Sequence, residues 1–222
     1  MGKIKDYKSL YQLQDKILLL VSKLDNEFYL TGGTALHRFY YNNRYSDDLD
    51  FFVTNGENFN EDVKEVIEQL KVESYDVVEN VKSRDFYRVT VNDSLQLDFV
   101  NDRVYRHGKS KIFDGIRVDN KLNILTNKIN AIVNRDEEKD IFDLFCLAYS
   151  ESFNWNDVFE IANKKAVVEK DIFIYRLKSF PLEWLKRIKI IEDVKITKER
   201  INILCNDLLN NVDNRLNRRG KD

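Results

Sequence analysis

The stretch FYLTGGTALHRFYYNNRYSDDLDFFV, residues 28–53, decides the fold. Phe28 to Thr31 reads as a short strand, and Gly32-Gly33 breaks it. Thr34, whose hydroxyl suits a free helix-terminal amide, then caps a helix running to Tyr41. After the turn NNRYSD, the residues DLDFFV form a second strand with Asp48 and Asp50 on one face and Leu49 and Phe51 on the other. Two carboxylates at i and i+2 of a strand can point at a common site. Hard oxygen ligands of this kind suit Mg²⁺, which keeps positions free for phosphate. Glycines ahead of a helix N-terminus let backbone amides approach a phosphate, and the helix dipole favours its charge. An isolated Asp-x-Asp on a strand is most often surface charge. Beside the glycine turn, the pair reads instead as part of a nucleoside-triphosphate site.

Working outward, Leu10, Leu13, Ile17, Leu20, Val21 and Leu24 recur at three- and four-residue spacing and predict an amphipathic helix over 7–24. FNEDVKEVIEQLK (59–71) predicts a solvent-faced helix. YDVVENV, FYRVTV and LQLDFV predict three strands, the last two joined as a hairpin by Asn92 and Asp93. In the last strand Asp98 lies opposite the apolar set Leu95, Leu97 and Phe99. On a strand adjacent to the first acids, it would complete a cluster able to hold two ions about 3.5–4 Å apart. After the short segment FDGIRV, nearly everything from Asn120 onward has helical periodicity: 121–135, 137–150, near 154–164, near 167–178 and about 197–216. The expected architecture is α+β, with a strand-bearing domain over 1–115 and a helical C-terminal domain over 116–222.

Composition narrows the function classes. With 43% hydrophobic and 12% aromatic residues in a 222-residue chain, there is enough apolar surface to bury a core, which excludes a disordered chain. Cys146 and Cys205 lie far apart and offer neither a disulfide framework nor a thiolate zinc site. His37 and His107 have no partner at metal-ligand spacing, which argues against zinc; His37, beside Arg38, is expected to face solvent or an acceptor. The longest apolar stretches, such as Ile17 to Val21, fall far short of a membrane span, and the first residues lack a signal-peptide core. A reduced, cytoplasmic location without membrane attachment is the resulting expectation.

The first block, GGTAL followed by R-x-S-x-DLDF, resembles the nucleotidyltransferase fold of DNA polymerase β-like enzymes and most closely the AbiEii/AbiGii-type nucleotidyltransferase toxins. A second block, NKINAIVNRDEEKDIFDLF, matches the lysine, arginine and R/K-D-x-x-D-L features found later in that family, giving Lys128, Arg135, Lys139, Asp140 and Asp143. The resemblance implies a nucleotidyltransferase-fold mixed sheet and a set of roles. Asp48 and Asp50 would hold Mg²⁺, or Mn²⁺ in its place, against the triphosphate, with Asp98 as third ligand or base. Gly32, Gly33 and Thr34 would hold phosphates, Lys128 would neutralise the triphosphate, and Asp143 would orient that lysine or the acceptor. Arg44 and Ser46, just before the acids, either brace their loop or touch the nucleotide.

Taken alone, the second block is weak. Lys128 and Arg135 are two helical turns apart and share a face that needs no function, and Lys139 precedes Asp143 as an ordinary i,i+4 pair. Arg135, Lys139 and Asp140 are therefore read as structure or support. Tyr40, Tyr41 and Tyr45 either stack on a base or pack the core. The resemblance further implies a toxin of a bacterial toxin–antitoxin or phage-defence pair. Such a toxin would transfer NMP from an NTP to an RNA acceptor, the tRNA 3′ end in family members, and would be paired with a cognate antitoxin. Two other classes share the motifs: a small-molecule nucleotidyltransferase of the aminoglycoside-modifying kind, and a non-catalytic nucleotide- or RNA-binding module.

The net charge of −2 conceals an asymmetry. Residues 1–115 carry 16 basic and 20 acidic side chains, and residues 116–222 carry 20 and 18. The tail RLNRRGKD ends in a basic group suited to an RNA backbone, and weak, salt-sensitive RNA binding is expected from it.

Overall fold

The computed structural model describes residues 6–217. Within them the chain forms two compact units. The first comprises residues up to Phe39, Ser46–Arg103 and Lys109–Asp119; the second comprises Tyr40–Tyr45, Val104–Gly108 and the chain from Asn120. Residues 218–222, which hold the basic end of the tail, lie outside the described residues.

In the first unit, helix α1 (Tyr7–Lys23) starts at Asp6, whose carboxylate accepts from the amides of Lys8 and Ser9. Its buried stripe holds the expected Leu10, Ile17, Leu20 and Val21, joined by Gln14 and Leu18. Strand β1 (Tyr29–Thr31) leads into α2 (Gly32–Ala35), a single α-turn that widens into a π-turn over Leu36–Tyr40. The expected helix to Tyr41 is therefore replaced by two short pieces. The wider π-turn shifts which face each side chain takes, and His37 is buried, not turned to solvent.

Strand β2 (Leu49–Thr54) follows, then α3 (Phe59–Val72), β3 (Val77–Lys82), β4 (Phe86–Val91), β5 (Leu95–Asp102), β6 (Lys111–Phe113) and β7 (Ile116–Val118). Helix α3 is amphipathic and not solvent-faced all round: Phe59, Val63, Val66, Ile67 and Leu70 are buried. The seven strands form one mixed sheet in the order β3-β4-β5-β2-β1-β7-β6. Strand β2 is antiparallel to β1 and parallel to β5. The segment FDGIRV, which alternation left unassigned, is the β6–β7 hairpin. Asp114 and Gly115 turn it at φ +49° and +85°, and β7 pairs in parallel with β1.

The β4–β5 hairpin turns through Asn92 and Asp93 at φ +50° and +51°, with Ser94 as the third loop residue before Leu95, the partner of Val91. Alternation sends Leu49, Phe51 and Val53 of β2, Tyr87, Val89 and Val91 of β4, and Leu95, Leu97 and Phe99 of β5 into the core. Phe99 is its hub. Its ring stacks on Phe51 at 5.3 Å between centroids and lies 5.2 Å from Phe28, which in turn meets Phe59 edge-on.

The second unit contains α4 (Lys121–Asn134), α5 (Glu138–Ser150), α6 (Trp155–Lys165), α7 (Lys170–Ser179), a 3₁₀ segment (Leu182–Arg187) and α8 (Lys198–Leu209). Asn120, Asn154 and Thr197 cap α4, α6 and α8 with side-chain oxygens. Helix α5 is buried on every side from Asp140 to Ala148, which makes it the centre of this unit. Helix α8 ends at Leu209, short of the expected 216. Asn211 adopts φ +54°, and the amides of Asn211 and Val212 bond back to the carbonyls of Leu208 and Asp207. Among the described residues no helix is long and apolar enough to cross a membrane.

Phe99→Ala should remove about 3–5 kcal/mol of stability, read as a lowered urea midpoint, because Phe28 and Phe51 lose their common partner.

Candidate functional site

The pairings of the sheet carry four side chains across it in one row. Arg88 of β4 is the register partner of Asp98 of β5, Asp98 that of Asp50 of β2, and Asp50 that of Thr31 of β1. All four stand on the face opposite the aromatic core. The two acids that sequence reading placed on separate strands are thus direct neighbours.

Arg88 grips Asp98 with both prongs, Nε to Oδ1 at 2.8 Å and a terminal nitrogen to Oδ2 at 2.7 Å. Asp98 holds the Arg88 charge above its ordinary range by this hydrogen bond. Burial opposes the effect, while the charges of Asp98, Asp48 and Asp50 add to it. Arg88 therefore feels all three acids. The motif reading missed it, although the hairpin contained the signal: once Val91 faces Leu95 across Asn92-Asp93, Arg88 must face Asp98.

Gly32 sits against the same acids. Its φ is +70°, and a Cβ there would overlap Asp50 Oδ2 and lie 3.3 Å from Asp50 Cγ. Only glycine lets the backbone pass this close to the carboxylate. Gly33 follows it in the first turn of α2.

Thr34 does not cap this turn; Thr31 occupies the cap position and donates its hydroxyl to Asp119 at 2.9 Å. The Thr34 hydroxyl bonds the Asp48 carbonyl and lies 2.8 Å from the Ser46 hydroxyl. A hydroxyl has one proton, so with Thr34 donating to the carbonyl, Ser46 donates to Thr34. Thr34 thus has its proton committed to the acid loop and not to a phosphate. Ser46 belongs to the same brace. Its amide donates to the Tyr11 hydroxyl at 3.0 Å, and its carbonyl accepts from buried Gln14 at 3.1 Å.

Among the described residues no three His, Cys, Asp or Glu side chains converge closely enough to hold a metal ion as they stand. The donor chemistry fits a divalent ion that takes one or two carboxylates and keeps its other positions for phosphate and water, with Asp48 and Asp50 as the pair. Asp98 does not fit as a third ligand while both its oxygens are held by Arg88.

The remaining motif residues gather in the second unit. Arg44 is 3% exposed and makes a two-pronged pair with Asp143, Nε to Oδ1 at 2.7 Å and a terminal nitrogen to Oδ2 at 2.8 Å. Its backbone is held by a bridge to Ile190, so it is a fixed buried anchor and not a turn residue. The Lys128 ammonium, also buried, lies 2.8 Å from Asp140 and 2.6 Å from Asp143. Burial pulls the Lys128 charge down, but Asp143 and then Asp140 outweigh it and raise the net value; Arg44 opposes.

Arg135 is the C-cap of α4 and not a residue of its last turn. It leaves the helix and reaches Asp140 at 2.7 Å from the exposed side. Burial pushes the Asp140 carboxyl up, and Lys128 and Arg135 more than reverse this, holding it below its ordinary value. Asp140, read from sequence as support, therefore anchors the cluster jointly with Asp143.

A sequence profile described as "Nucleotidyl transferase AbiEii toxin, Type IV TA system" matches residues 17–215. The chain belongs to the AbiEii nucleotidyltransferase toxin family. It is accordingly a nucleotidyltransferase, and both motif blocks fall within the matched span. No curated protein matches the chain by sequence. Among solved structures, JHP933 from Helicobacter pylori is 22% identical over 93% of this chain and 90% of its own, with a TM-score of 0.58. MenT4, a nucleotidyltransferase toxin from Mycobacterium tuberculosis, is 15% identical over 92% of this chain and 82% of its own, with a TM-score of 0.59. At these identities the likeness is one of fold, and it agrees with the mixed-sheet α+β architecture of this AbiEii protein.

Two outcomes test the site's construction. Gly32→Ala should cost about 1–3 kcal/mol, since it adds a Cβ at positive φ against a carboxylate; a urea midpoint equal to wild type would contradict the close approach. The stability contributed by the depressed Asp140 carboxyl is fully present above the ordinary aspartate value of about 3.9 and is lost as pH falls through its lower folded value. The melting-temperature gap between wild type and Asp140→Asn should therefore be wide at neutral pH and begin to narrow only as pH falls below about 4.

Proposed function

We propose that this AbiEii-family nucleotidyltransferase is a Mg²⁺-dependent toxin that transfers NMP from an NTP to the 3′ end of an RNA acceptor, tRNA in particular. The observation that carries the reading is the junction of Gly32 with the Asp50–Asp98 pair, a backbone turn pressed against adjacent carboxylates. In the reaction an acceptor hydroxyl loses its proton and attacks the α-phosphorus, a new P–O bond forms, and the bond to the pyrophosphate oxygen breaks. Asp48 and Asp50 are the protein ligands for Mg²⁺, which when bound offsets charge on the triphosphate. Gly32 and Gly33 admit the phosphates along the backbone, and Thr34 and Ser46 fix the loop that carries Asp48.

Asp98, beside Asp50, is assigned the acceptor's proton as the base, a role that needs one of its oxygens released by Arg88. In the helical unit, Lys128 is held between Asp140 and Asp143, and Arg44 holds Asp143 from the other side; the assignment of Lys128 to the triphosphate rests on the family pattern alone. The first unit is the catalytic domain in this reading, and the second is the helical C-terminal domain. Membership in a type IV toxin family supports a cognate antitoxin as partner and growth inhibition as the outcome; phage defence is the setting proposed for the pair.

Incubating folded protein with each labelled NTP and total RNA tests the reading. Wild type should label RNA at a discrete small size, and Asp50→Ala should lower incorporation at least about 100-fold, as loss of an electrostatic catalytic group does. Absence of labelled RNA with every NTP would exclude an RNA acceptor. Label appearing instead on an aminoglycoside would assign the protein to small-molecule transfer.

A further inference from the structure

We propose that Arg88 is the charge-balancing residue of the acid row and competes with a divalent cation for Asp98, so that this arginine sets the cation affinity of the site. The inference rests on reading Asp48 and Asp50 as the cation's protein ligands. Arg88 donates one bond to each Asp98 oxygen at 2.8 and 2.7 Å, and Gln96 Nε2 stands 3.4 Å from the second oxygen. No carboxylate pairing as complete as this is formed by Asp48 or Asp50 with Arg88, yet both add to the field that holds its charge.

The contrast with Arg44 identifies Arg88 as the exchangeable cation. Both make two-pronged aspartate pairs. The Arg44 side chain is 3% exposed, whereas that of Arg88 is 40% exposed. Arg44 cannot leave Asp143 without stranding a charge in the interior; Arg88 can turn to water, and the carboxylate it leaves, 12% exposed, is then taken by the arriving cation. The Phe86 ring, with Arg88 Cζ 5.5 Å from its centroid, gives the departing guanidinium a surface to rest on. A divalent cation arriving at Asp48 and Asp50 brings two positive charges beside the guanidinium. Like-charge repulsion then favours release of Asp98, which becomes an open oxygen donor next to Asp50.

Mn²⁺ alone, titrated into wild type, Arg88→Gln and Asp50→Asn and followed by the electron paramagnetic resonance of the free ion, tests the exchange. Arg88→Gln should bind about tenfold more tightly than wild type, because a like charge has been removed from the site. Equal or weaker binding would overturn the inference; if Asp50→Asn still abolished binding, the metal-site reading would stand without it. Binding that is absent in wild type and Arg88→Gln alike, or undiminished in Asp50→Asn, would overturn both. A reading on the wild-type protein avoids any folding defect of the variant. The Arg88 side-chain ¹⁵Nε resonance, assigned by its loss in Arg88→Lys, should shift when Mg²⁺ is added, and a resonance that stays in place would overturn the exchange.

Discussion

The parallel pairing of β2 with β5 is the constraint on which the site depends. It sets Asp50 and Asp98 on neighbouring strands at a spacing of about 4.8 Å. Two ionised carboxylates at that distance repel by about 3 kcal/mol at the effective dielectric of a protein surface. A sheet accepts such a pair only with positive charge beside it. In this protein Arg88 supplies that charge from the next strand, and the backbone of Gly32 leaves Asp50 the space it needs. Core packing pays for the arrangement from the other side of the sheet, where Phe28, Phe51, Phe59 and Phe99 form one aromatic layer.

The second unit handles charge differently. Arg44, Lys128, Asp140 and Asp143 lie almost wholly out of water, and two acids serve two buried cations, with Arg135 reaching in from the surface. A pair of this kind gains little net stability over an apolar one, because desolvation consumes most of the attraction. Its effect is geometric. Asp143 cannot rotate without abandoning either Arg44 or Lys128, so α4, α5 and the Tyr40–Tyr45 segment are tied at one point.

Much of this was legible in the sequence. Alternation fixed β2, β4 and β5, the Asn92-Asp93 turn joined the last two, and 3.6-residue periodicity gave the helices from Asn120 onward. Period alone placed Asp48 and Asp50 on one face of their strand and Asp98 opposite the apolar set of its own; only the β2–β5 pairing joins the two strands. What periodicity could not supply was anything depending on a partner distant in sequence. Arg44 looked like a turn residue because its carboxylate lies 99 residues away. Thr34 looked like a cap because the rival acceptor, the Asp48 carbonyl, becomes its neighbour only after the chain folds back. His37 looked exposed because a π-turn is not visible in residue spacing. The β6–β7 hairpin was missed because three-residue strands are too short to show a period.

The pair Asn92 and Asp93, with Ser94 closing the turn, also acts as a ruler. Both residues take left-handed backbone angles, and the ladder that leaves the turn brings Arg88 to Asp98 without a bulge. Strand side chains alternate, so a slip of one residue in that ladder would send Arg88 to the aromatic face and bring Tyr87 or Val89 up beside the acids. The charge of the site would change by a full unit with every carboxylate still in place. Loop length at the far end of a hairpin is therefore an electrostatic setting for this sheet, open to change by insertion or deletion where no functional residue is touched.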